Sequence, residues 1–401
     1  MIIVLSIFLI LVAVVLILVF TLKPSSNVTP TTTPTTTPTT TPTPGSTNLV
    51  LTGKDFLNLF DVYPVSQDPT GGFVNYHRYG GISDNPLIGY DDKFVYLGVA
   101  TAAFPETASN LEISAGTPIP SIRLYTKDTV YNGGLFSIEL FNIPAGQGVW
   151  PAIWFSQDPN QILPVPPFKG SWPINGEIDW IENVNSVAFN QSTLHIDGWT
   201  SKGLCPNTCQ YLSPEYCGGS GCSCPDSCKG QCGDESCPWA CRPKITAPFG
   251  AGFGSNPFCS SFGPNFGCAV KAPEGSFGDL FNIQNKGSVF SMQWTQLDTE
   301  GFNFIITFWF ITDKNIIDSP DFGPFSDTPD PSRWSGLYGK FENTDTESKC
   351  KIKDVQLIIN ITLCGAWAGA LVPDCNNVIF KQNALKDAYF KIGRFAQQAT
   401  N

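Results

Sequence analysis

The sequence predicts an all-β domain held behind an N-terminal transmembrane helix, and three observations point there. Runs such as Leu135–Leu140 and Val355–Ile361 alternate with period two, as half-buried strands do. Gly (37) and Pro (33) punctuate the chain throughout, while helical periodicity is nearly absent outside Ala384–Phe390. Aromatics reach 13% against only 14% charged residues, a balance that suits packed sheets and turns better than a helix bundle.

Ile2–Leu22 forms an almost unbroken apolar run of 21 residues. As a helix it would be about 32 Å long, enough to cross a bilayer core. It lacks a basic leader and an A-x-A cleavage pattern, so residues 1–23 read as an uncleaved signal anchor. A cleaved signal peptide is the alternative and would leave the domain secreted. Lys23 just after the run would favour the opposite orientation, but one Lys is weak against the cysteine content of the whole chain. Residues 24–47 follow as a stalk. Their Thr/Pro tract from Thr29 to Thr43 contains no apolar side chain and cannot form a core. Its prolines favour an extended spacer.

Residues 48–401 carry the strand signals. Phe302–Phe310 (FNFIITFWF) is apolar enough to be a strand buried on both faces. The chain holds 14 Cys, an even number that implies disulfides in an oxidising compartment, extracellular or lumenal. Sequons at Asn27, Asn190 and Asn360 agree with that placement. Nine of the Cys fall between Cys205 and Cys241, a segment with almost no aliphatic residues that needs covalent staples to fold. Nine is odd, so at least one of them pairs outside the segment or stays free, with Cys259 and Cys268 the nearest candidates. The segment has no His, which argues against zinc.

The net charge of −11 argues against nucleic acid as a partner. No phosphate-binding loop, nucleophilic Ser or Cys triad, or readable metal-ligand set is present, so neither cofactor nor metal is expected.

The chemistry sits in Glu177-Ile178-Asp179-Trp180-Ile181-Glu182. In a regular strand Glu177 and Asp179 share a face and Glu182, at i+5, points away. One extra residue, a β-bulge, returns Glu182 to the same face. Three acids in a row destabilise a sheet through mutual repulsion. They suit cleavage of a sugar linkage, in which one carboxylate attacks or stabilises and another donates a proton. Trp150, Trp154 and Trp172 lie nearby in sequence, and indoles stack on the apolar faces of sugars.

These segments resemble glycoside hydrolase family 16. The resemblance rests on Gly148-Val149-Trp150-Pro151-Ala152-Ile153-Trp154, on Trp172-Pro173-Ile174-Asn175-Gly176 leading into the acids, and on Asn190-Gln191-Ser192-Thr193-Leu194-His195. It extends through Gly71–Tyr76, Arg123, Tyr131–Phe136 and Asn360–Gly369, covering roughly Phe56 to Phe395 apart from the Cys-rich insertion, 205–241. These stretches are similar to the fungal endo-1,3(4)-β-glucanase branch. The resemblance implies a β-jelly-roll sandwich of two antiparallel sheets with a concave glycan cleft. It implies Glu177 as nucleophile, Glu182 as general acid/base and Asp179 as the helper that tunes Glu177. It implies Trp150, Trp154, Trp172 and His195 as cleft residues, His195 having a core hydrogen-bonding role as its alternative; Asn75 and Arg123, within the resembling stretches, are candidate substrate contacts or structural polar residues. His77 receives no role. The bulged acid motif goes with laminarinase-like branches, so 1,3-linked β-glucan is the expected substrate, cleaved internally with retention. Gln293, Asp313 and Ala366 stand where the family commonly has Glu, Arg and Asp, which bears on substrate detail and not on reaction class. Two alternatives keep the same scaffold: a transglycosylase using the same acids, and a non-catalytic glycan-binding surface protein, which would have no need of them.

Overall fold

A computed structural model describes residues 48–398, except for 105–112, 128, 158–163, 166–167, 170–172, 174, 197–198, 201–202, 205–242, 254, 256–258, 260–266, 285 and 345–349. The segments expected to be anchor and stalk, the Cys-rich insertion, Asn27 and Trp172 therefore lie outside the described residues. Among those described, no helix is long and apolar enough to cross a membrane.

The all-β expectation holds, and two large antiparallel sheets make the domain. One has nine strands, running in order Lys244–Thr246, Leu337–Asn343, Phe304–Ile311, Ser288–Gln296, Gly134–Asn142, Tyr389–Gln398, Val95–Gly98 and Ile88–Tyr90, with Leu49–Leu51 also paired to Tyr389–Gln398. The other has seven: Cys268–Lys271, Gln191–His195, Glu177–Glu182, Val149–Gln157, Val355–Leu363, Arg123–Thr126 and Phe60–Val62.

The inward faces of the two sheets build one core. Val355, Leu357, Ile359 and Ile361 alternate into it, as their spacing predicts. Phe136 of the nine-stranded sheet meets Phe155 of the seven-stranded sheet with ring centroids 5.0 Å apart, and Tyr131 stands edge-on to both. Tyr338 reaches across from the nine-stranded sheet to hydrogen-bond Ser192 at 2.7 Å. These contacts give the sandwich its sheet-to-sheet registration.

The nine-stranded sheet is covered on its outer face as well. Leu135, Val289, Trp309 and Ile311 pack there under Ile316, Ile317 and Trp334. This second cluster explains why Phe302–Phe310 reads as apolar on both faces. Asp313 has a local structural task here: its side chain accepts the Asn315 N–H at 2.9 Å and caps the short helix Lys314–Ile317.

Three expectations are corrected. Residues 382–387 form turns and the strand begins at Tyr389, so Ala384–Phe390 is not helical. A segment this short does not offset the cost of helix nucleation, whereas Phe390 and Ile392 enter the core on a strand paired with Val95–Gly98. Cys259 and Cys268 pair with each other rather than with the insertion. The Asn190 and Asn360 side chains are buried and hydrogen-bonded inside the fold, so neither sequon is presented at the surface.

Candidate active site

The acid strand Glu177–Glu182 lies third in the seven-stranded sheet, between Gln191–His195 and Val149–Gln157. An Asn175–Gly176 turn leads into it. Gly176 has φ +77°, and a Cβ there would come within 2.6 Å of the Lys351 carbonyl, so the approach of the 350–354 segment requires glycine.

The bulge anticipated from the i to i+5 spacing is present. Asp179 pairs with Thr193 and Glu182 with Gln191, three steps along one strand against two along the other. On the opposite side Asp179 faces Trp154 while Ile181 faces Ile153, two steps against one. Trp180 and Ile181, adjacent in sequence, consequently both enter the sandwich core. Glu177, Asp179 and Glu182 take the outward face, all three largely buried by their neighbours.

Register places the surroundings. A row runs across the sheet through Lys271, Gln191, Glu182, Ala152, Asn360 and Arg123, each paired with the next. Alternation along Val149–Gln157 puts Trp150 and Trp154 on the same face, on either side of the small Ala152. The Trp150 indole N–H donates to Glu182 Oε1 at 2.8 Å. The Trp154 N–H donates to Asn360 Oδ1 at 2.7 Å. His195 pairs with Glu177 in register, and its Nε2 lies 3.1 Å from Asp179 Oδ2 and 3.9 Å from Glu177 Oε1. Gly267 makes room for that imidazole, since a Cβ would sit 2.8 Å from His195 Nδ1.

Arg123 packs its guanidinium over Tyr63 (4.3 Å) and Trp154 (5.2 Å), with Tyr76 at 6.0 Å. Asn75 accepts the His77 backbone N–H at 3.1 Å and sits on the short strand Val74–Asn75. The fold thus brings Glu177, Asp179, Glu182, Trp150, Trp154, His195 and Arg123 onto one sheet face. Sequence reading did not single out Asn360 or Gln191 as members of this face. Period-two alternation in Val355–Leu363 was the available signal for Asn360, obscured by its reading as a sequon.

Burial dominates the electrostatics. It pushes the Asp179 carboxyl up to about 8. It pushes Glu182 up to about 8 as well, with the Asp179 charge adding to the rise and the Trp150 N–H and His195 acting against it. Both groups therefore favour their neutral form near neutrality. A proton held on Glu182 can be given away, and a protonated Asp179 can act as a hydrogen-bond donor. Glu177, Asp179 and His195 also each offer an atom within 4.8 Å of one another, close enough to contact one divalent cation.

A two-sheet sandwich with buried acids on a bulged strand fits the glycan-cleaving chemistry expected from the sequence, and comparison with known proteins identifies the family. The model of the XgeA-like catalytic domain of glycoside hydrolase family 16 matches residues 60–257 and 251–396. The chain belongs to glycoside hydrolase family 16, as a member with an XgeA-like catalytic domain. An endo-1,3(4)-beta-glucanase of Arthroderma benhamiae is 27% identical over 84% of this chain and 61% of its own length. A probable glycosidase of Schizosaccharomyces pombe is 29% identical over 80% of this chain and 59% of its own. The chain thus spans about three fifths of these relatives. Laminarinase 16A of Phanerochaete chrysosporium shares the fold at TM-score 0.57 and 23% identity, covering 87% of this chain and 98% of that one. An elongating family 16 β-1,3-glucosyltransferase shares it at TM-score 0.55 and 24% identity, over 88% and 99%.

Proposed function

We propose that this protein is an endo-acting retaining hydrolase of β-1,3(4)-glucan. One observation carries the reading: Glu182, kept protonated by burial and hydrogen-bonded to Trp150, shares the outward face of a bulged strand with Glu177. The name of the Arthroderma benhamiae relative supports the substrate class.

In the first step Glu177 attacks the anomeric carbon and forms a glycosyl ester, while Glu182 gives its proton to the departing glycosidic oxygen. In the second, Glu182, now a carboxylate, takes a proton from water. The resulting oxygen attacks the same carbon, and the ester bond to Glu177 breaks. Asp179 and His195 hold Glu177 in position. Trp150, Trp154 and Trp172 stack on sugar faces, and Asn75 and Arg123 bind hydroxyls. Residues 1–23 anchor the chain and residues 24–47 hold the catalytic domain off an extracellular or lumenal membrane face.

The test is NMR of the first products released from laminarin, with chain lengths followed in parallel. Initial β-anomers and a ladder of shortened oligosaccharides are expected. Initial α-anomers would refute retention. Products longer than the substrate would move the reading to transglycosylation.

A further inference from the structure

A bulge interrupts the sheet ladder, and the backbone groups it displaces need other partners. On the acid strand those groups include the Trp180 carbonyl and the Glu182 N–H, and one side chain serves both. Asn190 Oδ1 accepts the Glu182 N–H at 2.9 Å. Asn190 Nδ2 donates to the Trp180 carbonyl at 3.1 Å. The carboxamide fits here because it carries an acceptor and a donor side by side.

The carboxamide is itself held. Ser192 Oγ donates to the same Trp180 carbonyl at 2.6 Å. Tyr338, from the opposite sheet, lies 3.2 Å from Asn190 Nδ2 and 2.7 Å from Ser192 Oγ. The Asn190 backbone N–H donates to Ser276 Oγ at 2.8 Å. Asn190, Ser192, Ser276 and Tyr338 are all fully buried. Fully satisfied, such a network rigidifies the strand it holds, because an unpaired polar group in a dry interior is costly.

We propose that Asn190 is a positioning residue for Glu182: by closing the bulge from the core side, it sets where the Glu182 carboxyl stands on the outward face. This rests on the reading of Glu182 as the general acid. Asn190 touches no substrate. It acts through the amide of the residue that does, and Tyr338 locks it from the other sheet. The Asn190 sequon is consequently a core element, and a glycan on this side chain would be incompatible with the closed bulge.

The test compares full-chain Asn190→Ala with wild type on two substrates, laminarin and an aryl β-glucoside whose phenolate departs without protonation. With the acid displaced, kcat on laminarin should fall about 100-fold with KM little changed, and kcat on the aryl substrate should fall far less. Equal losses on both substrates would mean only that less folded enzyme is present, and would overturn the proposal. Tyr338→Phe, which keeps the core volume and removes one hydroxyl, should show the same split on a smaller scale. It decides the matter if Asn190→Ala does not fold. Should wild type hydrolyse neither substrate, the functional reading fails on its own, and a crystal structure of the folded variant then judges the positioning claim. Loss of the Trp150–Glu182 hydrogen bond supports it, and retention at the wild-type distance overturns it.

Discussion

The indole N–H of Trp150 donates to Glu182 Oε1 at 2.8 Å, joining one of the tryptophans read as sugar-stacking to the proposed proton donor. Trp150 also meets Trp367 edge-on with ring centroids 5.6 Å apart, so its ring is held by more than the acid.

Trp150→Phe keeps an aromatic face and removes the N–H. That hydrogen bond favours the carboxylate form of Glu182, so its loss makes the acid harder to ionise. The alkaline limb of the kcat/KM profile on laminarin should move to higher pH. The step in which Glu182 acts as a base should slow about tenfold, a share of what general acid–base assistance contributes. An unmoved alkaline limb would mean that another group controls it.

Stability should respond to the same buried acid with a defined sign. The folded pKa of Glu182 is raised to about 8, above its unfolded value, so the folded state holds that proton more tightly. The wild type is therefore favoured below the unfolded pKa and loses that advantage as pH rises through about 8. Glu182→Gln has no proton to lose. Its unfolding free energy should match wild type near the acid end and exceed it at the alkaline end by an amount on the order of a few kcal/mol, with a correspondingly higher melting temperature there. Parallel melting curves for the two proteins across this window would contradict the assignment.

Much of this site was legible in the sequence because it depends on local spacing. The i to i+5 separation of Glu177 and Glu182 required a bulge if they were to share a face, and the bulge is there. Alternation in Val355–Ile361 assigned its core face correctly. What could not be read depends on partners far apart in the chain. Asn190 closes the bulge only because the next strand brings it opposite the displaced backbone. Arg123 is surrounded by Tyr63 and Tyr76, each just past the end of a strand, and by Trp154 of Val149–Gln157, a cage that no local pattern encodes. The Cys259–Cys268 pairing likewise follows from chain path and not from proximity to the Cys-rich insertion.

Metal dependence offers a separate check. The proposed mechanism uses no metal, so dialysis against EDTA should leave laminarin hydrolysis intact. Glu177, Asp179 and His195 nonetheless come close enough to share a cation. Added Zn²⁺ or Cu²⁺ should therefore inhibit, competitively with oligosaccharide, and His195→Ala should relieve the inhibition. Loss of activity on EDTA treatment, restored by a metal, would contradict a mechanism based on acids alone.

The central claim is that Glu177 forms the covalent bond to sugar while Glu182 moves the proton. The most direct measurement is mass spectrometry of the protein after reaction with a 2-deoxy-2-fluoro β-glucoside carrying a good leaving group. Fluorine slows both steps, and the leaving group restores the first, so the glycosyl-enzyme accumulates. Peptide mapping should place the added sugar on Glu177, and Glu182→Ala should still become labelled. A label on Glu182 or Asp179, or an intact enzyme that hydrolyses laminarin yet never takes up the sugar, would contradict the account.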